Sequence, residues 1–240
     1  MRFASGQFTV MTEVGLVNDG SLAICRQRKN ISGFYMKKII ISVLLLTSFF
    51  VVGCGDKKTG NNSAAVVKKG VEPVADSEVA VIEMENSAAY GTIKLELYSN
   101  IAPKMIARFK ELAKEGVYDG TTFHRINQSV VQGGDPLSKD NDPTNDGTGH
   151  SDKPNVDAEF SDIKYDTGIV GAARGTDNNS ANSQFFITLK REIGFDNRYT
   201  IFGKVIDGMN NVRTISGVQP KEGERPVEPV RIKHISFVPR

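Results

Sequence analysis

Cysteine is nearly absent from this chain of 240 residues: there are two, Cys25 and Cys54, both in the first quarter. The remainder must fold without disulfides. Two cysteines and three scattered histidines also make a poor ligand set for zinc. An excess of charge of one sign is missing too. From Cys54 onward there are 24 Lys/Arg against 26 Asp/Glu, and the overall +2 comes from the residues before it. That balance excludes an extended nucleic-acid surface. No apolar run reaches the roughly 20 residues of a membrane-spanning helix. The chemically rich stretch FHRINQSVVQGGD (residues 123–135) holds no serine–histidine or cysteine–histidine pair at a useful spacing. It has an arginine, amides and apolar residues, but nothing to attack with.

The longest apolar run follows Met36-Lys37-Lys38, spans 14 residues and ends at Gly53-Cys54. A positive start, a short apolar stretch and a small residue before the cut form the pattern of an export signal. We read 36–53 as a signal peptide. Its ending, Val51-Val52-Gly53-Cys54, resembles the bacterial lipoprotein signal, which implies lipidation of Cys54. Residues 1–35 then read as a spurious or disordered extension upstream of the true start at Met36, the alternative being a long n-region. Residues 54–78 are polar, lack aromatics and read as a flexible tether. The folded domain is expected over 79–240.

Within it, Val79–Glu85 and Thr92–Tyr98 alternate, with Ile93, Leu95 and Leu97 on one face, and form a hairpin. Pro103 opens a helix with the stripe Ile106, Phe109, Leu112 and Ala113, and Gly116 stops it. Short strands are expected near 122–125, 130–133, 167–172, 184–188, 199–205 and 230–238, with a short helix over 207–215. Residues 136–157 form a long polar loop. Many short strands with two helices indicate an antiparallel barrel or sandwich.

The motifs Tyr118-Asp119-Gly120, Phe123-His124-Arg125, Gln132-Gly133-Gly134-Asp135, Gly147-Thr148-Gly149, Ser183-Gln184-Phe185-Phe186 and Phe202-Gly203-Lys204-Val205 occur in one order across the domain. Together they resemble the cyclophilin family of peptidyl-prolyl cis–trans isomerases. The resemblance implies a mainly β fold: a closed eight-stranded antiparallel β-barrel capped by two α-helices. It also answers the missing nucleophile. Prolyl isomerisation breaks no covalent bond; the barrier of about 18–20 kcal/mol is lost amide resonance.

By the same resemblance, Arg125 and Gln132 are catalytic: the guanidinium donates to the amide nitrogen as the bond twists, and the glutamine supports it. Phe186, Val130, Phe195 and Tyr199 line the proline pocket. Ala173, Arg174 and Gly175 present backbone groups to the residue before proline, and Gln184 and Gly147 match positions of the substrate groove. Phe185 and Phe186 must face opposite sides of a strand, so one serves the core and the other the pocket. His124, beside Arg125 along the chain, points the other way and reads as structural.

Three positions depart from the family pattern. The segment between Arg125 and Gln132 is one residue short, and Ser129 stands where an aromatic is usual. The chain has no tryptophan, and Gly194 occupies the place where some members contact cyclosporin. Tyr199 replaces a histidine. No cofactor or metal is implied. The expected partners are proline-containing segments of unfolded or exported proteins and a membrane reached through the lipid. Nucleic acid is not among them, and the chain is expected to be a monomer at the extracytoplasmic face of the cell envelope. The alternative is a proline-peptide holdase with little turnover.

Overall fold

A computed structural model describes residues 66–140, 142–218 and 224–240. The expected extension 1–35, signal peptide 36–53, Cys54 and the first part of the tether lie outside the described residues.

Eight strands build one antiparallel sheet: β1 (Glu78–Met84), β2 (Thr92–Leu97), β3 (Arg125–Ile126), β4 (Val130–Gly133), β5 (Ile169–Ala172), β6 (Phe185–Thr188), β7 (Ile201–Asp207) and β8 (Ile232–Pro239). Their order is β3-β4-β6-β5-β7-β2-β1-β8. The sheet curls, bringing its two edges together ahead of β3. There Thr122 bridges Arg231, and the Phe123 N–H donates to the Val230 carbonyl at 2.9 Å. The ladder does not continue along β3, because that strand is two residues long and the chain turns at Asn127. The architecture is therefore a curled, half-barrel sheet with its edges touching at one end.

The hairpin forms as the alternation requires: Ile93, Leu95 and Leu97 of β2 are fully buried. Its connection contains a single helical turn, α1 (Ser87–Tyr90), capped by the Asn86 side chain. Helix α2 (Pro103–Lys114) starts at its proline and buries Ile106, Phe109, Leu112 and Ala113. Phe109 sits at the centre of the core, with ring centroids 5.3–5.7 Å from Tyr118, Phe185 and Phe202. Helix α3 (Met209–Ser216) adds Val212 and Ile215 to the same core.

Four strands contribute to two apolar clusters at once. Val131, Val170, Phe185, Ile187 and Phe202 enter the main core. Their neighbours along the chain, Val130, Ile169, Phe186 and Ile201, form a second cluster. Period-two alternation produces this division, since successive side chains leave opposite faces of a strand.

Residues 66–77, read from the sequence as tether, are held on the domain by hydrogen bonds. The Lys68 N–H donates to the Phe160 carbonyl at 2.8 Å, and Asp162 returns a bond to the Lys68 carbonyl at 3.0 Å. Lys68 Nζ reaches the Ile101 carbonyl, and Asp76 accepts from the Ser99 N–H and hydroxyl. Hydrogen bonds from backbone and polar side chains do most of the fixing of this stretch, so it left no hydrophobic period in the sequence.

Candidate active site

The face carrying the second cluster also carries the polar groups, by strand parity. Arg125 and Gln132 are cross-strand partners on β3 and β4, and Gln132 is paired with Phe186 on β6. Directly opposed residues share a face. Gln184 lies two positions before Phe186 and points the same way.

These side chains form a hydrogen-bonded relay. Arg125 Nη1 donates to Gln132 Oε1 at 3.3 Å. Gln132 Nε2 donates to Gln184 Oε1 at 2.9 Å. Gln184 Nε2 donates to the Gly147 and Gly149 carbonyls at 3.1 and 2.8 Å. The relay thus ends on the 136–157 loop, anchored from below by Asp135, whose carboxylate accepts from the Leu137, Gly147 and Gly149 N–H groups. Asp135 is fully buried.

The apolar wall is aromatic. Phe186 stands edge-on to Phe195 and Tyr199, with centroids at 5.4 and 5.6 Å. Tyr165 stacks beneath it at 5.8 Å. Val130 is buried in the same cluster, and Ala173 packs against it. Phe195 ends a 3-10 turn (Ile193–Phe195), which is locked by the Arg191–Asp196 ion pair and by the Tyr165 N–H donating to Asp196 at 3.0 Å. Burial keeps the Tyr165 hydroxyl protonated far above its ordinary range. Rings of the 195–199 turn thus complete the wall around Phe186, with Tyr165 behind it, and Ser129 adds no ring.

Arg174 lies with its guanidinium 4.7 Å from the Tyr199 ring centre and donates to the Arg198 carbonyl at 2.9 Å. Its neighbours use their amides inside the protein: Ala173 N–H to the Gln184 carbonyl, and Gly175 N–H to Ser180 Oγ, both at 2.9 Å. His124 faces away from Arg125 and is buried; burial lowers its pKa, against the raising pull of Asp135 and Asp146. Its ring lies 3.3 Å from where a Cβ on Gly147 would sit. His234 is exposed and paired with Asp119.

Residues 80–237, which hold the relay, the aromatic wall and nearly all of the sheet, match the family model described as "Cyclophilin type peptidyl-prolyl cis-trans isomerase/CLD". The chain belongs to this family. A Schizosaccharomyces pombe peptidyl-prolyl cis-trans isomerase is 38% identical over 156 residues, covering 64% of this chain and 96% of that protein. A Brucella suis protein named "Probable peptidyl-prolyl cis-trans isomerase" is 42% identical over 130 residues, covering 52% of this chain and 66% of the relative, just under two thirds of its length. Among solved structures, a Cryptosporidium parvum cyclophilin crystallised in the presence of the dipeptide Ala-Pro is 30% identical with a TM-score of 0.60. That match covers 68% of this chain and 99% of the other.

Three residues of this cyclophilin-type site were not singled out from the sequence. Asn127 shapes the shortened segment: its Oδ1 accepts from the Ser129 and Val130 N–H groups at 2.8 and 2.9 Å. Glu224 accepts from Arg125 Nε at 2.6 Å and from Asn127 Nδ2 at 3.0 Å. Gly171 lies beneath Phe186, where a Cβ would stand 2.5 Å from the ring. Only Gly171 carried a local signal, since glycine inside a strand marks a close approach. Glu224 is 99 residues from Arg125, and nothing local joins them.

Proposed function

We propose that this chain is a lipid-anchored, extracytoplasmic isomerase that rotates X–Pro bonds in exported or unfolded proteins. Arg125 is its catalytic donor and Gln132 its support. The observation that carries this reading is the placement of the Arg125–Gln132–Gln184 relay beside the Phe186–Phe195–Tyr199 wall on one face of the sheet.

The proline ring packs on Phe186, flanked by Val130, Phe195 and Tyr199, while the relay faces its amide. As the bond twists, resonance is lost and the nitrogen lone pair becomes an acceptor. A guanidinium N–H bonds to it only then, which favours the twisted state over both planar ones. The substrate backbone pairs with Arg174, whose own peptide groups make no hydrogen bond among the described residues while Ala173 and Gly175 are engaged. Gln184 and Gly147 close the other side. No nucleophile, base or cofactor enters the reaction.

The test is peptide isomerisation by the mature chain from Cys54 onward, with Arg125→Ala beside it. The Arg125 side chain is 45% exposed, so the variant should fold. Loss of one transition-state donor predicts a fall in kcat/KM of about 10²–10³. Equal rates for the two proteins overturn the assignment of Arg125; tight proline-peptide binding without turnover supports the holdase reading instead. For the anchor, support rests on the residues preceding Cys54, and mass spectrometry of the mature N-terminus should find a diacylglyceryl cysteine at position 54.

A further inference from the structure

The guanidinium of Arg125 is held from two sides. Gln132 takes one Nη1 hydrogen at 3.3 Å, a long bond. Glu224 takes the Nε hydrogen at 2.6 Å, a short charge-assisted one. The same Glu224 oxygen accepts from Asn127 Nδ2 at 3.0 Å, and the other end of Asn127 fixes the backbone of Ser129 and Val130. One carboxylate therefore joins the arginine to the segment that presents Val130 to the aromatic wall. Its neighbour Arg225 reaches the opposite way, donating through Nε to Asp146 Oδ2 at 3.0 Å, immediately before Gly147. Consecutive residues thus brace the two sides of the groove. Glu224 itself sits at φ 67°, a left-handed conformation uncommon outside glycine, retained where the surroundings enforce it.

An ion pair between side chains this exposed, 45% and 43%, adds little to stability in water. What it can do is remove rotamer freedom from a long side chain. Arg loses substantial entropy on being aimed, and a fork held at Nε leaves its remaining hydrogens in a defined plane. We propose that Glu224 is a positioning residue that orients the Arg125 guanidinium in the groove and ties it, through Asn127, to the strand carrying Val130. This rests on the reading of Arg125 as the catalytic donor only for its effect on rate; the orientation itself is independent of it. Although partial burial works against the charge, the Asn127 amide and Arg125 hold the Glu224 carboxyl below the usual carboxylate range.

The experiment compares wild type, Glu224→Ala and Glu224→Gln in three measurements: isomerase kinetics, thermal unfolding, and NMR relaxation of the Arg125 Nε–H group. Glu224→Ala should lower kcat about tenfold, equivalent to roughly 1.4 kcal/mol, with KM and Tm nearly unchanged. Glu224→Gln, which keeps an acceptor, should recover most of the rate. The Arg125 Nε–H should be rigid in wild type and mobile in Glu224→Ala. An unchanged or faster kcat in Glu224→Ala overturns the proposal. So does a parallel loss of Tm and kcat that Gln fails to restore, since that marks a structural role. If wild type shows no turnover, the reading of function fails while the NMR comparison still decides the positioning: an Arg125 Nε–H equally mobile in both proteins refutes it.

Discussion

Replacing Gly171 with alanine tests whether the aromatic wall is a rigid surface. Gly171 is the cross-strand partner of Phe186, so a methyl group there projects into the same face as the ring. It would stand 2.5 Å from Phe186 Cζ, 2.9 Å from Cε2 and 2.6 Å from the Tyr165 hydroxyl. Ordinary contact requires about 1 Å more. Neither ring has an easy retreat. Tyr165 is fully buried, and Phe186, 4% exposed, is hemmed in by Tyr165, Phe195 and Tyr199. Overpacking of this kind costs about 1–3 kcal/mol, which for a domain of this size lowers Tm by about 2–12 °C. The larger effect should fall on catalysis. A displacement of about 1 Å at a substrate-positioning surface can reduce the rate by up to about 10²-fold. Gly194→Ala is the matched control, because a Cβ there meets nothing within 4 Å. Both variants would be assayed by peptide isomerisation and thermal melting. If Gly171→Ala kept the kcat/KM and Tm of wild type, the wall would be shown to yield freely, and the account of Phe186 as a fixed pocket surface would fail.

Two further outcomes follow from the same geometry. Wild type should bind cyclosporin weakly, with no nanomolar Kd, because Gly194 offers no ring. Gly194→Trp, placed in open space, should tighten binding by about 10–100-fold in titration calorimetry, the equivalent of about 1–3 kcal/mol of aromatic contact. His124 is buried with its pKa lowered, so the unfolded chain takes up its proton more readily than the folded one. Its penalty is absent above the ordinary imidazole pKa and grows as pH falls from about 7 to about 5, where stability should decline. Chemical denaturation at the two pH values should show a smaller decline in His124→Gln; an identical decline in both proteins would remove His124 as its source.

Much of the site was legible because it is built by strand parity. Once FHR and VQGGD are read as strands, alternation alone puts Arg125 and Gln132 on one face and His124 on the other. The same rule separates Phe185 from Phe186, and the structure places the former in the core and the latter against the aromatic wall. What could not be read was anything depending on contact between distant segments. Glu224 looks like one more charged residue in a polar turn. Tyr165 gives no sign that it stacks under Phe186. Nor does the sequence show that the Arg191–Asp196 pair locks the turn carrying Phe195 and Tyr199 against Phe186. Residues 66–77 read as tether because their attachments are mainly hydrogen bonds of backbone and polar side chains, which leave no pattern of side-chain hydrophobicity.

The sequence alone determined the strand-rich domain, the hairpin and helix boundaries to within a few residues, the family, and which residues share a face. Those properties follow from local rules: period-two alternation, capping and turn chemistry, and a set of motifs in fixed order. The tertiary structure alone decided that the sheet curls until its edges touch ahead of β3. It also decided that Tyr165 stacks beneath the aromatic wall, and that the guanidinium of Arg125 is hydrogen-bonded to a carboxylate nearly a hundred residues away. Such contacts depend on where the folded chain returns to itself, and no local pattern encodes that return.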